Sequence, residues 1–443
     1  MKKILILMLM IVVLAAAMCG CGEKTLLSPE DPVTLTMWHV YGEQADSPMN
    51  LMIKEFNETV GAEKGITISV TNVSSTSKIA LQLADAQAGK PGAPELPDLF
   101  SCHTAGAVIL KPENLVDWND YFSADELAGY VPEFIQDGTI DDRLVIFPVS
   151  KSSYALFING SQFSRFSEDT GITYDNLRTW DGFFDAAARY YEWSGGKTFC
   201  AFDYLIRHVE FDMMSEHGQL EYTENGWYDV TNPEFKASWM KFAVPLAQGH
   251  IAVSDLYANT QVMTGEALSG IGSTAAIAYY NDTVTYSDNT SEPTDLKVLP
   301  LPSCGISGKD YMPQTGVGLA AYKTDDKKAE AASVFLRWFT EGLRNLDFVA
   351  ETGYMPVNND AYEAIGTYEF TDAGYASLYE AIGLMRQTYT PVVRPDFDGY
   401  YDMVNKLYND LRQCQGQLSQ RSDNGEDPVV LAGETWEIFC SVN

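Results

Sequence analysis

The sequence predicts an α/β fold built on parallel sheet, and three observations lead there. Apolar residues alternate with polar ones at Val33, Leu35 and Met37, and again at Ile66, Ile68 and Val70, the period-two signature of strands. Helical spacing separates and follows these runs, giving the order strand, helix, strand, helix, strand, which needs crossover helices and a parallel sheet. With 443 residues, the chain is long enough for two domains, each with its own core.

Taken in order, the first strand precedes Ser47-Pro48, a cap followed by a proline suited to the first helical position. Met49, Met52, Ile53, Phe56 and Val60 form the buried stripe of that helix. A second strand at Ile66–Val70, a helix over Ile79–Ala88 and a third strand ending in LPDLFS follow. Ser123-Ala-Asp-Glu126 is a capping box ahead of Leu127, Tyr130, Val131 and Phe134, so a helix is expected there. RLVIFPVSKSSYALFING holds two short β runs interrupted at Pro148–Ser153; because a central strand excludes proline, the interruption predicts a crossover between lobes. Thr179-Trp180 opens a helix carrying Phe183, Phe184, Ala187 and Tyr191. LKVLPLP and TGVGLAAY are further strands, and Thr324 is expected to cap the helix of Ala332, Phe335, Leu336 and Phe339. A polar loop, SDNGEDP, comes late.

Composition excludes some functions. Against 61 acidic residues stand 29 basic ones, a net charge of -32, with no stripe of Lys and Arg; nucleic acid is not an expected partner. Acidity of this kind serves solubility. Twenty-five tyrosines help to bring the aromatics to 12%, a large supply of flat apolar faces with polar edges. No phosphate loop, zinc helix or nucleophile elbow is present, and the five histidines are too scattered to propose a metal site or cofactor. Gly316-Val-Gly318-Leu-Ala-Ala321 imitates a dinucleotide fingerprint but lies in a strand-like run. Carboxylates are abundant, so a surface-anchored glycoside hydrolase stands as the alternative of another class, its acid pair being defined by spatial separation. The spacing of Cys414 and Cys440 permits a bridge among other connectivities.

The N-terminus has its own logic. Lys2 and Lys3 precede the apolar run Ile4–Ala17, which is shorter than the about 20 residues a membrane-spanning helix needs and has the layout of a secretory signal. MCGCGEK then resembles the bacterial lipoprotein signal, with Gly20 before Cys21 fitting the lipidated position and Met18 before Cys19 fitting it poorly. Plain secretion and an uncleaved anchor are the alternatives. The expectation is a signal peptide over 1–20, lipidation at Cys21 and a tether over 21–32. Such a tether reaches roughly 35 Å when extended. The mature protein would sit on the extracellular face of the cell membrane, held by its lipid.

The segments VTLTMWHVYG, LPDLFS, IFPVSKSSYALFING, RTWDGFFDAAARYY, LKVLPLP, TGVGLAAY, KKAEAASVFLRWF and ETGYMPVNNDAY follow one another between residues 33 and 362. In that order the chain resembles the extracellular solute-binding proteins of ABC importers, in the group serving carbohydrates and glycerol-3-phosphate. The resemblance implies an α/β, two-lobed periplasmic-binding-protein-like (type II) fold with a hinge and an interlobe cleft. Lobe one would comprise 31–148 and 297–350, and lobe two 149–296 and 351–443. It further implies a binding protein and no enzyme: a small-molecule solute favours the closed form, and the permease subunits recognise that form.

Candidate contacts lie at strand ends, where α/β sheets place their clefts. Trp38 and Tyr41 follow the first strand and would offer aromatic faces to a sugar ring. His103 follows the third strand; Ser150 and Lys151 lie at the crossover with Ser152 and Ser153. Tyr354 matches the family's GYxPV turn. In GIGSTAAIAYYND, where many sugar-specific members carry a tryptophan, this chain has Ser273 and Thr274 running into an expected helix, as in glycerol-3-phosphate members. Arg394 in PVVRPDF lies where those members place a phosphate-binding arginine, whereas NVSSTSK lacks the Tyr-Glu pair of that branch. A carbohydrate is the expected solute, with a phosphorylated polyol as the alternative. Each of these side chains has a competing role in lobe packing.

Overall fold

The computed structural model describes residues 25–443 apart from 43–46, 225–226, 256, 307 and 396–398. Residues 1–24, with the expected signal peptide and the lipidation site Cys21, lie outside the described residues. Two compact units divide the chain: Met1–Ala128, Gly138–Phe147 and Gly318–Thr340 form the first, and Gly129–Asp137, Pro148–Val317 and Glu341–Asn443 the second.

In the first unit the alternating runs become a sheet ordered Ile66–Val73, Val33–His39, Leu99–Cys102, Gly318–Ala321, Phe147–Pro148. Val33–His39 is parallel to both its neighbours, as strand-helix-strand order requires, and Gly318–Ala321 runs antiparallel to Leu99–Cys102. Helix Pro48–Glu58 buries Met49, Ile53 and Phe56, with Met52 only half-buried; a break at Thr59 leaves Val60 in a short separate helix. Phe56 meets the edges of Phe335 and Trp338 from helix Asp326–Phe339, ring centroids 5.1 and 5.3 Å away. The cap of that helix is Asp325 rather than Thr324, because its carboxylate accepts from both Lys327 N (2.8 Å) and Lys328 N (3.1 Å). The described part of the expected tether is docked on this unit: Thr25 Oγ1 and Leu26 N donate to Glu330, and Lys327 pairs with Asp31 at 2.6 Å.

In the second unit the sheet order is Leu296–Leu299, Tyr154–Asn159, Ala267–Ser273, Thr198–Phe202, Ile251–Val253. The last three are mutually parallel, and Tyr154–Asn159 runs against them and against Leu296–Leu299. That pairing draws 297–317 into the second unit, and 341–350 follows it, so of the 297–350 expected in lobe one the first unit holds 318–340. The capping box at Ser123 forms, but its helix spans only Ala124–Leu127; Val131 N then bonds Val357 O and Pro132 starts a new helix through Asp137. The five described cysteines are free, so Cys414 and Cys440 are unbridged. Among the described residues no helix is long and apolar enough to cross a membrane.

Two C-terminal helices, Tyr400–Asp423 and Pro428–Val442, complete this core, the second lying on helix Pro233–Ala247. There Trp239 stacks on Phe439 at 4.8 Å and its indole N–H donates to Thr435 Oγ1 at 3.0 Å. Trp239→Ala should lower the unfolding free energy by about 3–5 kcal/mol, through lost contacts and the cavity left behind, as read from denaturant midpoints. A change below about 1 kcal/mol would show that the C-terminal helix is not seated there.

Candidate functional site

The site is a consequence of strand direction. Ser273 pairs with Tyr154 across the antiparallel step, while the parallel strands end at Phe202 and Val253 on the same side. One edge of the second unit therefore gathers Ser150–Tyr154, Asp203–Tyr204, Ser254 and Ser273–Thr274. It is the carboxyl end of the parallel strands, where such sheets bind ligands.

Backbone bonds hold this edge in place. Thr274 N donates to Ser153 O at 2.8 Å, Ser152 exchanges backbone bonds with Thr315 (3.0 and 2.9 Å), and Lys151 bridges Met355. Ser152 and Thr315 also join through their hydroxyls at 2.6 Å. The Lys151 ammonium, 2% exposed, pairs with Asp137 at 2.5 Å. Ser150 and Thr274 are buried, whereas Ser273 is half-exposed with its hydroxyl accepting from Ala275 N. The helix expected after Ser273 is a six-residue 3-10 turn, Thr274–Tyr279. Gly353 closes onto it: a Cβ there would meet Thr274 O at 2.6 Å, which a left-handed φ of 72° also disfavours, and this turn presents half-buried Tyr354.

Tyrosines surround the edge. Tyr154 and Tyr204 stack at 6.1 Å, and Tyr204, Tyr257 and Tyr401 keep 37%, 57% and 51% of their surface exposed. Burial, and next the neighbouring Asp203 carboxylate, push the Tyr204 phenol up, with Tyr401 and Tyr257 adding to the shift. Half-buried Arg394 lays its guanidinium over the Tyr401 ring at 4.5 Å and the Tyr400 ring at 5.7 Å, and makes no ion pair among the described residues. The segment before it is anchored by buried Arg207, which donates to Val392 O and Val393 O (both 3.1 Å) and pairs with Glu210, itself bonded by the Tyr228 hydroxyl.

The positions named from sequence thus fall into groups. Ser150, Lys151, Ser273, Thr274 and Tyr354 come together on this edge. Arg394 follows the strand Tyr389–Val392, whose Val392 O accepts from Gln314 N next to Thr315. Trp38, Tyr41 and His103 belong to the first unit. Trp38 is 3% exposed, packs with Phe100, Leu83 and Val145, and donates to Thr71 Oγ1 at 3.0 Å. Tyr41 is buried, its backbone N–H donating to His39 Nδ1, and burial lowers His39 while Asn50 opposes. His103 is exposed at the start of helix Thr104–Leu110. Asp203, Tyr204, Tyr257, Tyr401 and Arg207 were missed. The strand-end rule applied to TFCAF, ahead of Asp203-Tyr204, was the signal that would have found the first two.

Behind Tyr154, His208 is buried among Trp180, Phe202 and Phe242, and its Nε2 has no hydrogen-bond partner among the described residues. Burial, and then Arg207, lower it to about 3. It stays neutral when folded, whereas the unfolded chain takes up the proton near 6.5, so its contribution is complete above pH 6.5 and is lost as pH falls toward 3. Relative to His208→Phe, the wild type should lose up to about 1.4 kcal/mol per pH unit in that window, measured by denaturation at pH 7 and pH 5. A stability difference between the two proteins that does not change with pH would contradict this placement.

The sequence profile of a family described as bacterial extracellular solute-binding protein matches residues 52–374. Among solved structures, the cyclic alpha-maltosyl-1,6-maltose binding protein of Arthrobacter globiformis is similar, with TM-score 0.68, 18% identity, and coverage of 93% of this chain and 99% of that one. UgpB of Mycobacterium tuberculosis, solved with glycerophosphocholine, gives 0.64 at 16% identity, covering 93% and 98%. The GacH receptor of Streptomyces glaucescens, solved unliganded and with acarbose, gives 0.62 at 16%, with the same coverage. At these identities the likeness is one of fold, the two-lobed periplasmic-binding-protein type. No curated protein matches the sequence.

Proposed function

Because the chain belongs to the bacterial extracellular solute-binding protein family, we propose that it is the lipid-anchored receptor of an ABC importer, capturing a carbohydrate-like solute and handing it to membrane permease subunits. The observation that carries the choice of solute is the tyrosine-lined edge of the second unit, where Tyr204, Tyr257 and Tyr401 keep ring surface free beside hydroxyl and carboxylate groups. Flat faces cover the apolar side of a sugar ring, and the polar groups between them hold its hydroxyls. Ser273, Tyr354 and Arg394 are the positions named from sequence that keep surface on this unit and are proposed as contacts. Of the positions named in the first unit, His103 keeps its surface and is proposed as a contact of that unit, whereas Trp38 and Tyr41 are buried and serve packing. The solute leaves unchanged; capture works because it binds the closed form better and so shifts the population toward it.

One observation favours a second reading, a phosphorylated polyol. The Arg394 guanidinium stands on aromatic faces without a carboxylate among the described residues, and an anion would give it a charge-assisted partner.

A thermal-shift panel of maltotriose, chitotriose, cycloalternan and glycerol 3-phosphate should contain a ligand that raises Tm without being consumed. At one hundred times its dissociation constant the gain is about 2.7 kcal/mol. Hydrolysis of any panel sugar by the purified protein would replace the receptor by a surface hydrolase. In cells, Cys21→Ala should abolish incorporation of labelled lipid while Cys19→Ala leaves it nearly intact; continued labelling of the Cys21 variant would remove the anchor from the account.

A further inference from the structure

Asp203 follows the strand Thr198–Phe202 at the middle of the edge described above. Its two carboxylate oxygens are unequal. Oδ1 accepts from Ser254 Oγ at 3.0 Å and from Ala258 N at 2.6 Å, whereas Oδ2 takes no hydrogen bond among the described residues, and the side chain is only half-buried. Space for Oδ2 exists because residue 272 is glycine: a Cβ there would collide with that oxygen. No lysine, arginine or histidine among the described residues pairs with the carboxylate, although Arg412 bonds the neighbouring Ser254 carbonyl at 2.6 Å.

We propose that Asp203 is a solute-binding residue whose Oδ2 accepts hydroxyl protons from a neutral, polyhydroxylated ligand lying on the Tyr204 and Tyr401 faces. A carboxylate pinned through one oxygen keeps the lone pairs of the other aimed, so little ordering remains to be done on binding. It also selects. An ionised carboxylate in a partly dry site repels a phosphate, and a site built around hydroxyl donors rejects a ligand lacking them. The proposal rests on the receptor reading and chooses neutral sugar over the phosphorylated polyol.

Burial raises Asp203 to about 6 against the hydrogen bonds from Ala258 and Ser254 and the Arg412 charge. The other groups facing it, Tyr204, Tyr280, Tyr154 and the Cys200 thiol, are all pushed up by burial, and an arginine stays charged, so Asp203 alone among them changes charge between pH 7.5 and 5. Sugar affinity should therefore fall as pH drops through about 6 and the accepting oxygen becomes protonated.

The test takes the tightest neutral sugar of maltotriose, chitotriose and cycloalternan and titrates it calorimetrically into wild type and Asp203→Asn at pH 7.5 and 5. The asparagine keeps an oxygen for Ser254 and Ala258. The expected result is at least a tenfold loss at pH 7.5 with Tm preserved or raised, and an affinity in the variant that no longer depends on pH. A purely structural role would lower Tm and spare affinity. Should the variant not fold, the wild-type pH profile decides, and a flat profile from 7.5 to 5 overturns the proposal. Sugar binding indifferent to both substitution and pH overturns this inference alone, as does binding of glycerol 3-phosphate with no sugar. No binding by any panel member overturns the receptor reading and this inference together.

Discussion

Everything at the candidate site depends on the register of one antiparallel step, the pairing of Tyr154–Asn159 with Ala267–Ser273. Ser273 stands opposite Tyr154, and Thr274 N bonded to Ser153 O carries the pairing one residue past the strand. A slip of one residue would turn Tyr154 to the opposite face of a sheet strand that is buried on both sides, and move Ser273 away from the ends of the parallel strands. Close approach is part of the same constraint. Gly270 and Gly272 lie in the paired strand, and a Cβ at the first would press on Ala258 and at the second on Asp203. The two glycines therefore serve packing, and one of them makes room for a carboxylate.

The edge is also where satisfied and unsatisfied groups meet. Arg207, Glu210 and Tyr228 form a closed buried network that also grips the carbonyls of Val392 and Val393, and so fixes the path into Arg394. Buried charges are tolerable only with such complete pairing. Around it, among the described residues, stand groups left open: the Ser153 hydroxyl, His208 Nε2 and one oxygen of Asp203. Incomplete satisfaction costs stability, and residues that break local rules in an otherwise consistent fold concentrate at functional sites.

Much of this architecture was legible in the sequence, for physical reasons. Val33–His39 and Ile66–Val73 declare themselves because each alternates, and Pro148 marks the interruption because proline cannot serve a central strand. Other features depend on partners far along the chain. The Ser123 helix stops at Leu127 because Val131 bonds Val357, which no local pattern announces, and Leu296–Leu299 joins the second unit because its partner is Tyr154–Asn159. The crossover at Pro148–Ser153 and the segment GIGSTAAIAYYND pointed to Ser150, Ser273 and Thr274, which share one edge, but neither could say that the Lys151 ammonium is taken by Asp137, or that Trp38 is enclosed by Phe100 and Leu83. Tyr257 and Tyr401 reach the edge from elements whose placement is tertiary, so spacing carries no trace of them.

Amide hydrogen exchange with and without a bound sugar tests the central claim most directly, since it reports which backbone segments a ligand orders. The account predicts that, within the second unit, protection concentrates at residues 150–154, 202–204, 273–275 and 392–395 with 399–401, with the distal ends of the same strands unchanged. Protection absent from all four segments, or confined to the C-terminal helices around Trp239 and Phe439, would contradict it.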